Sequence, residues 1–377
     1  FSRNSAATRV NAQGLVENVQ ILSSNLVSNG NFSQEGAEEV SNGSFSQEGS
    51  ELILNGDFSS DTDWTKGDGW SISNGFAKSD GSQSSFSSIY QDYNLTVGKT
   101  YKITFNLSDY ISGLIRPLLD GTDIGAQYVS SNGNYIFYAK ATSSTNKLGV
   151  RCDADFIGSI DNVSVKEVGQ NWALGTSWSI AENKVVASGV ASNLSQIILT
   201  SGASYKLTYE VLTSDNNTLL GYFGGNISIS IPSTVGTHTV YGVSDGAYFV
   251  LRNGGFIGSI TNISVKEVGQ NWNLGTGWSI GENKAVADNT GININQVIGN
   301  KQGVKLLIEF DVDFVSGSSI KAEIGGAFGD VLSTSGRYST TITPISTSGY
   351  LYIYGGAFTG SITNISVIEI TDDTNLP

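Results

Sequence analysis

The chain has 377 residues, of which 46 are Gly, only 4 are Pro and 14% are charged. Because domains cluster near about 100 to 150 residues, this length predicts two to four of them. The net charge of −14 opposes contact with nucleic acid, and one Cys and one His exclude an internal disulfide framework, a Cys/His zinc site and a triad needing several such residues.

The apolar residues are spread along the chain in short runs. No run approaches the roughly 18 consecutive apolar residues of a membrane span, so we expect no membrane insertion. The chain contains no Met, and we therefore expect it to be processed or to be part of a longer product.

The first predicted elements are two short strands within residues 8–16, on either side of an Asn-Ala-Gln-Gly turn at residues 11–14. A second apolar stretch continues to residue 21. An isolated hairpin is only marginally stable in water. We therefore expect this hairpin to pack on a module, on another chain or on sequence outside this chain.

A tandem repeat with a period of 13 follows the hairpin: Asn29-Gly-Asn-Phe32, Asn42-Gly-Ser-Phe45 and Asn55-Gly-Asp-Phe58. The third copy opens the first large module, whereas the first two have no module directly behind them and lack an obvious local partner. Residues 1–51 are thus predicted to form an extended, strand-forming segment that serves in assembly. The alternative is a flexible acidic linker, which would carry Glu35, Glu38, Glu39, Glu48 and Glu51.

The rest of the chain consists of a longer repeat. Its closing segment, residues 156–168, returns at 256–268 and 358–370, with periods of 100 and 102. A middle strand at Tyr101–Phe105 is matched to residues 205–209 and 304–308. These matches predict module 1 at 52–168, module 2 at 169–268, module 3 at 269–370 and a C-terminal tail at 371–377.

The modules are predicted to be β-sandwiches. A period near 100 is too long for a solenoid repeat and suits a whole sandwich domain. Residues 160–167 alternate as a strand does, and Gly, Asn, Ser and Asp clusters separate short β-branched and aromatic runs, whereas helical periodicity is nearly absent. The fold class is therefore all-β.

Module 1 carries a recognisable set of motifs. Asn55-Gly-Asp-Phe58, Trp64, Gly69-Trp70, the middle strand and the closing Ile160-Asp-Asn-Val-Ser-Val165 strand resemble carbohydrate-binding-module-like, or galactose-binding-like, jelly rolls. Modules 2 and 3 keep the Trp pair and the closing strand but have Gly-Gln-Asn-Trp in place of Asn-Gly-Asp-Phe. The ends of the chain, residues 5–17 and 371–377, resemble segments that flank such modules in bacteriophage tail-fibre and other virion surface proteins. This resemblance implies tandem jelly rolls in a non-enzymatic extracellular or virion fibre, with glycan binding as an accompanying activity.

The tryptophans form one pair per module, six residues apart in each: Trp64 and Trp70, Trp172 and Trp178, Trp272 and Trp278. Their spacing is constant although the loops differ. A constant spacing favours a packing role over a ligand site, so we expect all six to be structural.

Aromatic side chains are the candidates for glycan stacking, because sugar CH groups pack against aromatic faces. Tyr350, Tyr352 and Tyr354 alternate along one strand and would share a face. The aligned residues are Tyr248, Val250 and Arg252 in module 2 and Leu148, Val150 and Cys152 in module 1. Tyr90 and Tyr93 are further candidates. A core or sheet-surface role is the alternative for all five.

A calcium site is an open alternative in module 1 only, with Asp57, Asp61 and Asp161 as ligands, because jelly rolls of this kind often hold a structural calcium. Otherwise we expect no cofactor. His238 is predicted to lie on a sheet surface, and Cys152 to be a buried small apolar residue. No residue set is predicted to be catalytic.

Two functions fit these features. The first is a structural fibre or filament subunit, located outside the cell or on a virion, that binds copies of itself by pairing its N-terminal strands with a neighbour's sheet edge. Deletion of residues 1–50 should then abolish assembly and leave the modules folded. The second is an adhesin that binds surface glycans. We favour the structural role because the repeated features are packing features.

Overall fold

In a computed structural model, the chain is described at residues 8–10, 16–18, 21–119, 122–123, 127–226 and 228–370. Its regular elements over these ranges are β-strands in antiparallel sheets. The predicted all-β fold is therefore confirmed. Within the same ranges, no helix has the length and apolarity needed to cross a bilayer.

In the described part of the N-terminal segment, four short strands precede the modules: β1 (Thr8–Val10), β2 (Val16–Asn18), β3 (Glu35–Glu38) and β4 (Glu48–Glu51). Strands β1 and β2 pair antiparallel as the sequence predicted. The turn predicted between them and the predicted tail at 371–377 lie outside the described residues. Strands β3 and β4 join sheets of the modules and not each other.

Module 1 comprises two sheets. Its strands are β5 (Thr65–Lys66), β6 (Trp70–Ser73), β7 (Phe76–Asp80), β8 (Ser87–Asn94), β9 (Thr100–Ser112), β10 (Ile115–Leu119), β11 (Thr122–Asp123), β12 (Gly133–Lys140), β13 (Thr145–Cys152) and β14 (Ile157–Val168). One sheet has the order β11-β10-β13-β8-β5 and the other the order β12-β9-β14-β7-β6.

Module 2 repeats this arrangement with β15 (Ala173–Leu174), β16 (Trp178–Ala181), β17 (Lys184–Ser188), β18 (Ser192–Ile197), β19 (Ser204–Ser214), β20 (Leu219–Phe223), β21 (Ser228–Ile231), β22 (Gly236–Val243), β23 (Tyr248–Asn253) and β24 (Ile257–Val268). Its sheets run β15-β18-β23-β20-β21 and β16-β17-β24-β19-β22.

Module 3 does so again with β25 (Asn273–Leu274), β26 (Trp278–Gly281), β27 (Lys284–Asp288), β28 (Asn293–Val297), β29 (Leu306–Ser316), β30 (Lys321–Ile324), β31 (Ala327–Phe328), β32 (Gly336–Ile342), β33 (Tyr350–Tyr354) and β34 (Thr359–Glu369). Its sheets run β25-β28-β33-β30-β31 and β26-β27-β34-β29-β32.

The strand order is that of a jelly roll. In module 1, taken in chain order from β7 to β14, the first, eighth, third and sixth strands form one sheet, and the second, seventh, fourth and fifth form the other. This is the double Greek-key connectivity that defines the fold. The corresponding strands of modules 2 and 3 follow the same order.

Each pair of sheets encloses its own apolar cluster. The six tryptophans lie in these clusters, and each is at most 8% exposed. In modules 1 and 3 the second tryptophan packs beside the Phe that begins the closing segment, with ring centroids 6.0 Å apart for Trp70 and Phe156 and for Trp278 and Phe358. The first tryptophan of each pair has a different neighbour, described below.

One predicted alignment is wrong. The middle strand of module 3 was matched at residues 304–308, but the residues that pair with its closing strand as Tyr101 and Tyr205 do in modules 1 and 2 begin at Leu306. The error is a shift of two residues. Because strand side chains alternate with a period of two, this shift leaves the buried and exposed faces unchanged and was invisible in the sequence pattern.

Candidate functional site: the leader and its three sockets

Residues 22–60 form a segment that we call the leader. It consists of three 13-residue repeats: repeat 1 at 22–34, repeat 2 at 35–47 and repeat 3 at 48–60. Repeat 3 binds module 1, repeat 2 binds module 2 and repeat 1 binds module 3. The leader therefore contacts the modules in the reverse of their order in the chain.

The leader adds a strand beside the closing strands of modules 1 and 2, and makes separate backbone hydrogen bonds to the closing strand of module 3. The first half of β14 pairs with β7, and its second half pairs with leader strand β4 through Lys166 and Val168. Strand β24 pairs with β17 and β3 in the same way. In module 3 the amides of Leu22 and Leu26 donate to the carbonyls of Glu369 and Val367 at 2.8 Å. The leader thus provides hydrogen-bond partners for an edge that the module's own strands leave open.

An aromatic pair forms the centre of each contact. The leader rings Phe32, Phe45 and Phe58 lie 5.4, 5.3 and 4.9 Å from the first tryptophan of modules 3, 2 and 1, measured between centroids. Each of these phenylalanines is at most 2% exposed. The pairs are Phe32 with Trp272, Phe45 with Trp172 and Phe58 with Trp64.

The same tryptophans bind the leader backbone. The indole Nε1–H of Trp64, Trp172 and Trp272 donates to the carbonyl of the leader Asn, at 2.9, 3.0 and 3.1 Å. These acceptors are Asn55, Asn42 and Asn29. Each Asn and the Phe three residues later adopt a positive φ, between 49° and 56°. Such a backbone is uncommon for a bulky residue, and here it turns the ring into the core.

A glycine allows the leader backbone to approach the module. A Cβ added to Gly30, Gly43 or Gly56 would lie 2.0, 1.8 or 2.1 Å from a main-chain oxygen of the closing strand. The oxygens belong to Ile365, Ile263 and Val163. Main-chain atoms cannot rotate away as a flexible side chain can, so the Asn-Gly-x-Phe motif requires Gly at its second position.

A glutamine from the opposite sheet binds the other side of the leader. Its amide group accepts from one leader N–H and donates to the carbonyl of the same residue, as a peptide group would. The pairs are Gln91 with Leu54, Gln196 with Ser41 and Gln296 with Ser28, at 2.6 to 3.1 Å. The leader is therefore hydrogen-bonded to both sheets of every module.

Each repeat also contributes an aliphatic residue to the core of its module: Val27, Val40 and Ile53, at 5 to 7% exposure. Full burial of one such side chain is worth about 1.5–3 kcal/mol relative to exposure. With the Phe, each repeat gains about 3–6 kcal/mol of apolar transfer free energy from its module by this measure. The leader is thus part of the hydrophobic cores.

An acidic residue at the first position of a repeat binds two lysines. Glu48 forms ion pairs with Lys102 at 2.6 Å and with Lys166 at 3.0 Å. Glu35 forms the equivalent pairs with Lys206 and Lys266 at the same two distances. Hydrogen bonds from the lysine ammonium groups hold the pKa of both carboxyls below the ordinary 4.5. The largest contribution comes from Lys206 for Glu35 and from Lys102 for Glu48.

These contacts correct three expectations. The first two repeats do have partners, which lie in the same chain but 130 and 243 residues away at Trp172 and Trp272. Modules 2 and 3 have not replaced Asn-Gly-x-Phe, because the leader supplies that motif to them. The acidic residues Glu35 and Glu48 lie in paired strands and not in a flexible linker. Deleting residues 1–50 would therefore open the cores of modules 2 and 3.

We define a socket as the module surface that receives one leader repeat: the first tryptophan, the glutamine and the second half of the closing strand. Sequence reasoning missed the glutamines. Their signal was present, because Gln recurs at corresponding positions of β8, β18 and β28 while its neighbours vary. The 13-residue spacing of the buried Val27, Val40 and Ile53 was a second unused signal.

The tyrosine row of module 3 lies on the outer face of its five-stranded β33 sheet. The centroids of Tyr350, Tyr352 and Tyr354 are 5.8 Å apart in succession. Phe328 lies 6.2 Å from Tyr354, and the ammonium group of Lys321 lies 4.2 Å from the Phe328 centroid. These last three residues line an open cavity of about 660 Å³.

The module 1 alignment of this row was wrong by one residue. The strand pairing places Lys147, Gly149 and Arg151 at the positions of the three tyrosines, and Leu148, Val150 and Cys152 point into the core. A shift of one residue exchanges the two faces of a strand. Burial raises the pKa of the Cys152 thiol to about 11.

The other two tyrosine candidates do not act together. Tyr90 and Tyr93 are three residues apart in β8, so they point to opposite faces of that strand. The ammonium group of Lys147 lies 4.1 Å from the Tyr90 ring centroid, whereas Tyr93 is 40% exposed. Tyr90 also lines a polar cavity of about 310 Å³.

The three calcium candidates are engaged separately. Asp61 pairs with Lys66, Asp57 accepts from the Ser59 amide, and Asp161 accepts from the backbone and side chain of Asn162. Among the residues that the structure describes, no three Asp, Glu, His or Cys side chains gather as a metal site. His238 lies half-buried on the edge strand β22, beside Tyr209.

Comparison with known proteins gives no family. No family model matches the chain, and no curated protein does. Among solved structures, the tandem CBM22-1-CBM22-2 domain of Paenibacillus barcinonensis Xyn10C is similar at 9% identity, over 53% of this chain and 94% of that one, with a TM-score of 0.23. A Sulfolobus Turreted Icosahedral Virus structure matches at 14% identity, over 82% and 90%, with a TM-score of 0.20. Scores this low do not establish a shared fold.

We expect Phe45→Ala to destabilise module 2 by about 3–5 kcal/mol, because the change leaves a cavity beside Trp172. Phe32→Ala should do the same to module 3. Hydrogen exchange with mass spectrometry measures each module separately, and the exposed Ser46→Ala change is the matched control. Equal protection of module 2 in the Phe45→Ala and control proteins would contradict this role.

Acidification should loosen repeats 2 and 3 selectively. The pKa values of Glu35 and Glu48 are lower in the folded state, so their contribution is complete above pH 4.5 and is lost as the pH falls through the lowered values. Repeat 1 has Leu22 at this position and lacks this dependence. Hydrogen exchange of β3 and β4 between pH 6 and pH 3 measures the effect, and Glu35→Gln should remove it from β3. A pH response of β3 that survives this change would disprove the assignment.

Proposed function

We propose that this chain is a non-enzymatic structural subunit of an extracellular or virion-surface fibre. The observation that carries the proposal is that one continuous leader binds three successive jelly rolls through the same indole hydrogen bond. Equivalent positions in neighbouring repeats are 13 residues apart, so neighbouring sockets lie within about 43 Å of each other along an extended chain. Such an arrangement suits a spacer that holds its modules at fixed intervals.

Direct contacts between modules support the same role. Tyr138 of module 1 packs against the core cluster of module 2, and Tyr241 of module 2 packs against that of module 3. The closing strands of modules 1 and 2 also run within a few residues into the first tryptophan of the next module. Neighbouring modules are thus joined by the chain, by a tyrosine and by the leader, which together restrict their relative movement.

The chemistry of the described residues favours a non-enzymatic role. The Cys152 thiol is buried, and burial raises its pKa to about 11. The ion pairs of the described residues lie on the leader and on sheet surfaces. We propose copies of the same chain as its partners. A net charge of −14 disfavours nucleic acid as a partner.

Immunogold electron microscopy with antibodies to this chain tests the structural role. We expect labelling along fibres of particles or cells from the organism that encodes it, at intervals set by the subunit repeat. Pre-immune serum is the control. Labelling confined to the surrounding fluid would contradict a fibre role.

Glycan recognition is a second candidate, favoured by the tyrosine row of module 3. Three rings follow one another on an open face, and Tyr350 is 41% exposed. Neighbouring Lys321, which is partly exposed, would supply a polar contact that orients a sugar. The corresponding strand of module 2 carries Tyr248 and Arg252 on the same face.

A glycan array tests this second function. If a ligand is found, Tyr352→Ala should weaken binding about tenfold, because loss of one stacked ring removes roughly 1.4 kcal/mol. Thr341→Ala, an exposed change on the other sheet of module 3, should leave binding unchanged. An array without a ligand, or equal loss in both variants, would count against glycan recognition by this face.

A further inference from the structure

The sockets of modules 2 and 3 hold segments to which they are not directly connected. Repeat 2 reaches Trp172 across 130 residues, and repeat 1 reaches Trp272 across 243. Repeat 3, by contrast, runs directly into module 1. All three make the same aromatic pair, the same indole hydrogen bond and the same glutamine contact. Sockets 2 and 3 therefore recognise an extended peptide by non-covalent contacts alone.

The sockets define their ligand closely. An aliphatic residue enters the core, an Asn-Gly turn approaches the closing strand, and a Phe packs on the tryptophan. Ser28 and Ser41 bind through backbone atoms only, so the residue between the aliphatic side chain and Asn is free to vary. The required pattern is aliphatic-x-Asn-Gly-x-Phe, and the leader of this chain has it three times.

A charge pattern distinguishes the sockets from one another. Where repeats 2 and 3 begin with Glu, their sockets present two lysines on adjacent strands. Repeat 1 begins with Leu22, and the positions that correspond to the two lysines in module 3 are occupied by Leu307 and Ile368. Ligand and socket have thus changed together from a charged set to an apolar set.

We propose that the sockets of modules 2 and 3 also bind the leader of a second copy of this chain, by the contacts seen within one chain. Exchange of repeats 1 and 2 would preserve their hydrogen bonds and aromatic pairs in sockets 2 and 3, because these contacts do not depend on which copy supplies the peptide. Because repeat 3 continues directly into module 1, the donor's module 1 would then take the place of the receiver's own module 1 beside module 2, and the Tyr138 contact would be exchanged with the leader. Binding of the leader within its own chain and binding to a second copy then differ mainly in the concentration of leader that a socket experiences. Within one chain this effective concentration is in the millimolar range for short tethers. Leaders should therefore exchange where chains are crowded or where a chain's own leader is displaced.

The charge pattern sets the register of the exchanged leader. A leader displaced by one repeat toward module 3 would place Glu35 beside Leu307 and Ile368. Displacement by one repeat in the opposite direction would place Leu22 beside Lys206 and Lys266. Both mismatches remove ion pairs and bring a charged group against an apolar one. Repeat 1 is thus directed to module 3 in either copy. This inference does not depend on a role in fibres.

A cleavable leader tests the proposal in the folded full-length chain. A protease site inserted between Gln47 and Glu48, which are both exposed, allows repeats 1 and 2 to be cut free after folding. We expect the fragment to stay bound during gel filtration and to be displaced, with saturation, by a fluorescent synthetic peptide of residues 22–46. Circular dichroism before cleavage verifies that the insertion variant is folded.

Matched peptides test the contacts. A peptide with Phe32→Ala and Phe45→Ala should bind at least a hundredfold more weakly. A peptide with Glu35→Lys should bind roughly tenfold more weakly, and Lys206→Glu with Lys266→Glu in the protein should restore it. Displacement that is equal for all three peptides would overturn the assigned sockets.

Refolding tests the second copy. Two full-length chains with different tags, unfolded together and refolded near millimolar concentration, should form mixed oligomers that are rare at micromolar concentration. Replacing both Phe32 and Phe45 with Ala should reduce the fraction of mixed oligomers, and Ser46→Ala should leave it unchanged. Mixed oligomers that form equally without the phenylalanines, or that are absent at every concentration, would overturn exchange between copies.

Discussion

The contact between a leader phenylalanine and the first tryptophan of a module organises this protein. The indole ring packs against the phenyl ring and, through its N–H, binds the carbonyl of the Asn that turns the leader backbone. One side chain thereby satisfies both the apolar and the polar needs of the bound segment. The same contact recurs in all three modules, and the glycine, the glutamine and the added strand position the leader around it.

The modules illustrate how a domain can be divided along a chain. In each jelly roll, the module's own strands leave the second half of one edge of the closing strand unpaired. A leader repeat, which for modules 2 and 3 lies far upstream in the chain, hydrogen-bonds to that edge. Open edges invite pairing with other chains. Filling them internally protects the folded protein, and it also makes the cores of modules 2 and 3 depend on contacts of very long sequence separation, which slow folding.

The sequence was sufficient for the fold class because strand periodicity and the repeats are local signals. The tryptophan spacing likewise indicated packing. The leader's partners were not visible in the sequence, because the 13-residue repeats and the repeats of about 100 residues have unrelated periods. Only the structure shows that each of the three leader repeats binds one of the three modules. The alignment of the tyrosine row with module 1 was wrong for a different reason. The sequence alone does not show whether Leu148 or Lys147 corresponds to Tyr350, and only the pairing of β13 with β8 decides between them.

The reversed order of the leader also decides how the protein would bear a mechanical load. Ile21 and Ile370 are bridged to each other beside module 3. Tension between these two points would peel the leader from one socket at a time, beginning at module 3, with few bonds loaded at any moment. Tension between residue 21 and module 1 would instead pull along the leader and load all three sockets in shear. The same contacts would then yield at a low force in one direction and resist together in the other.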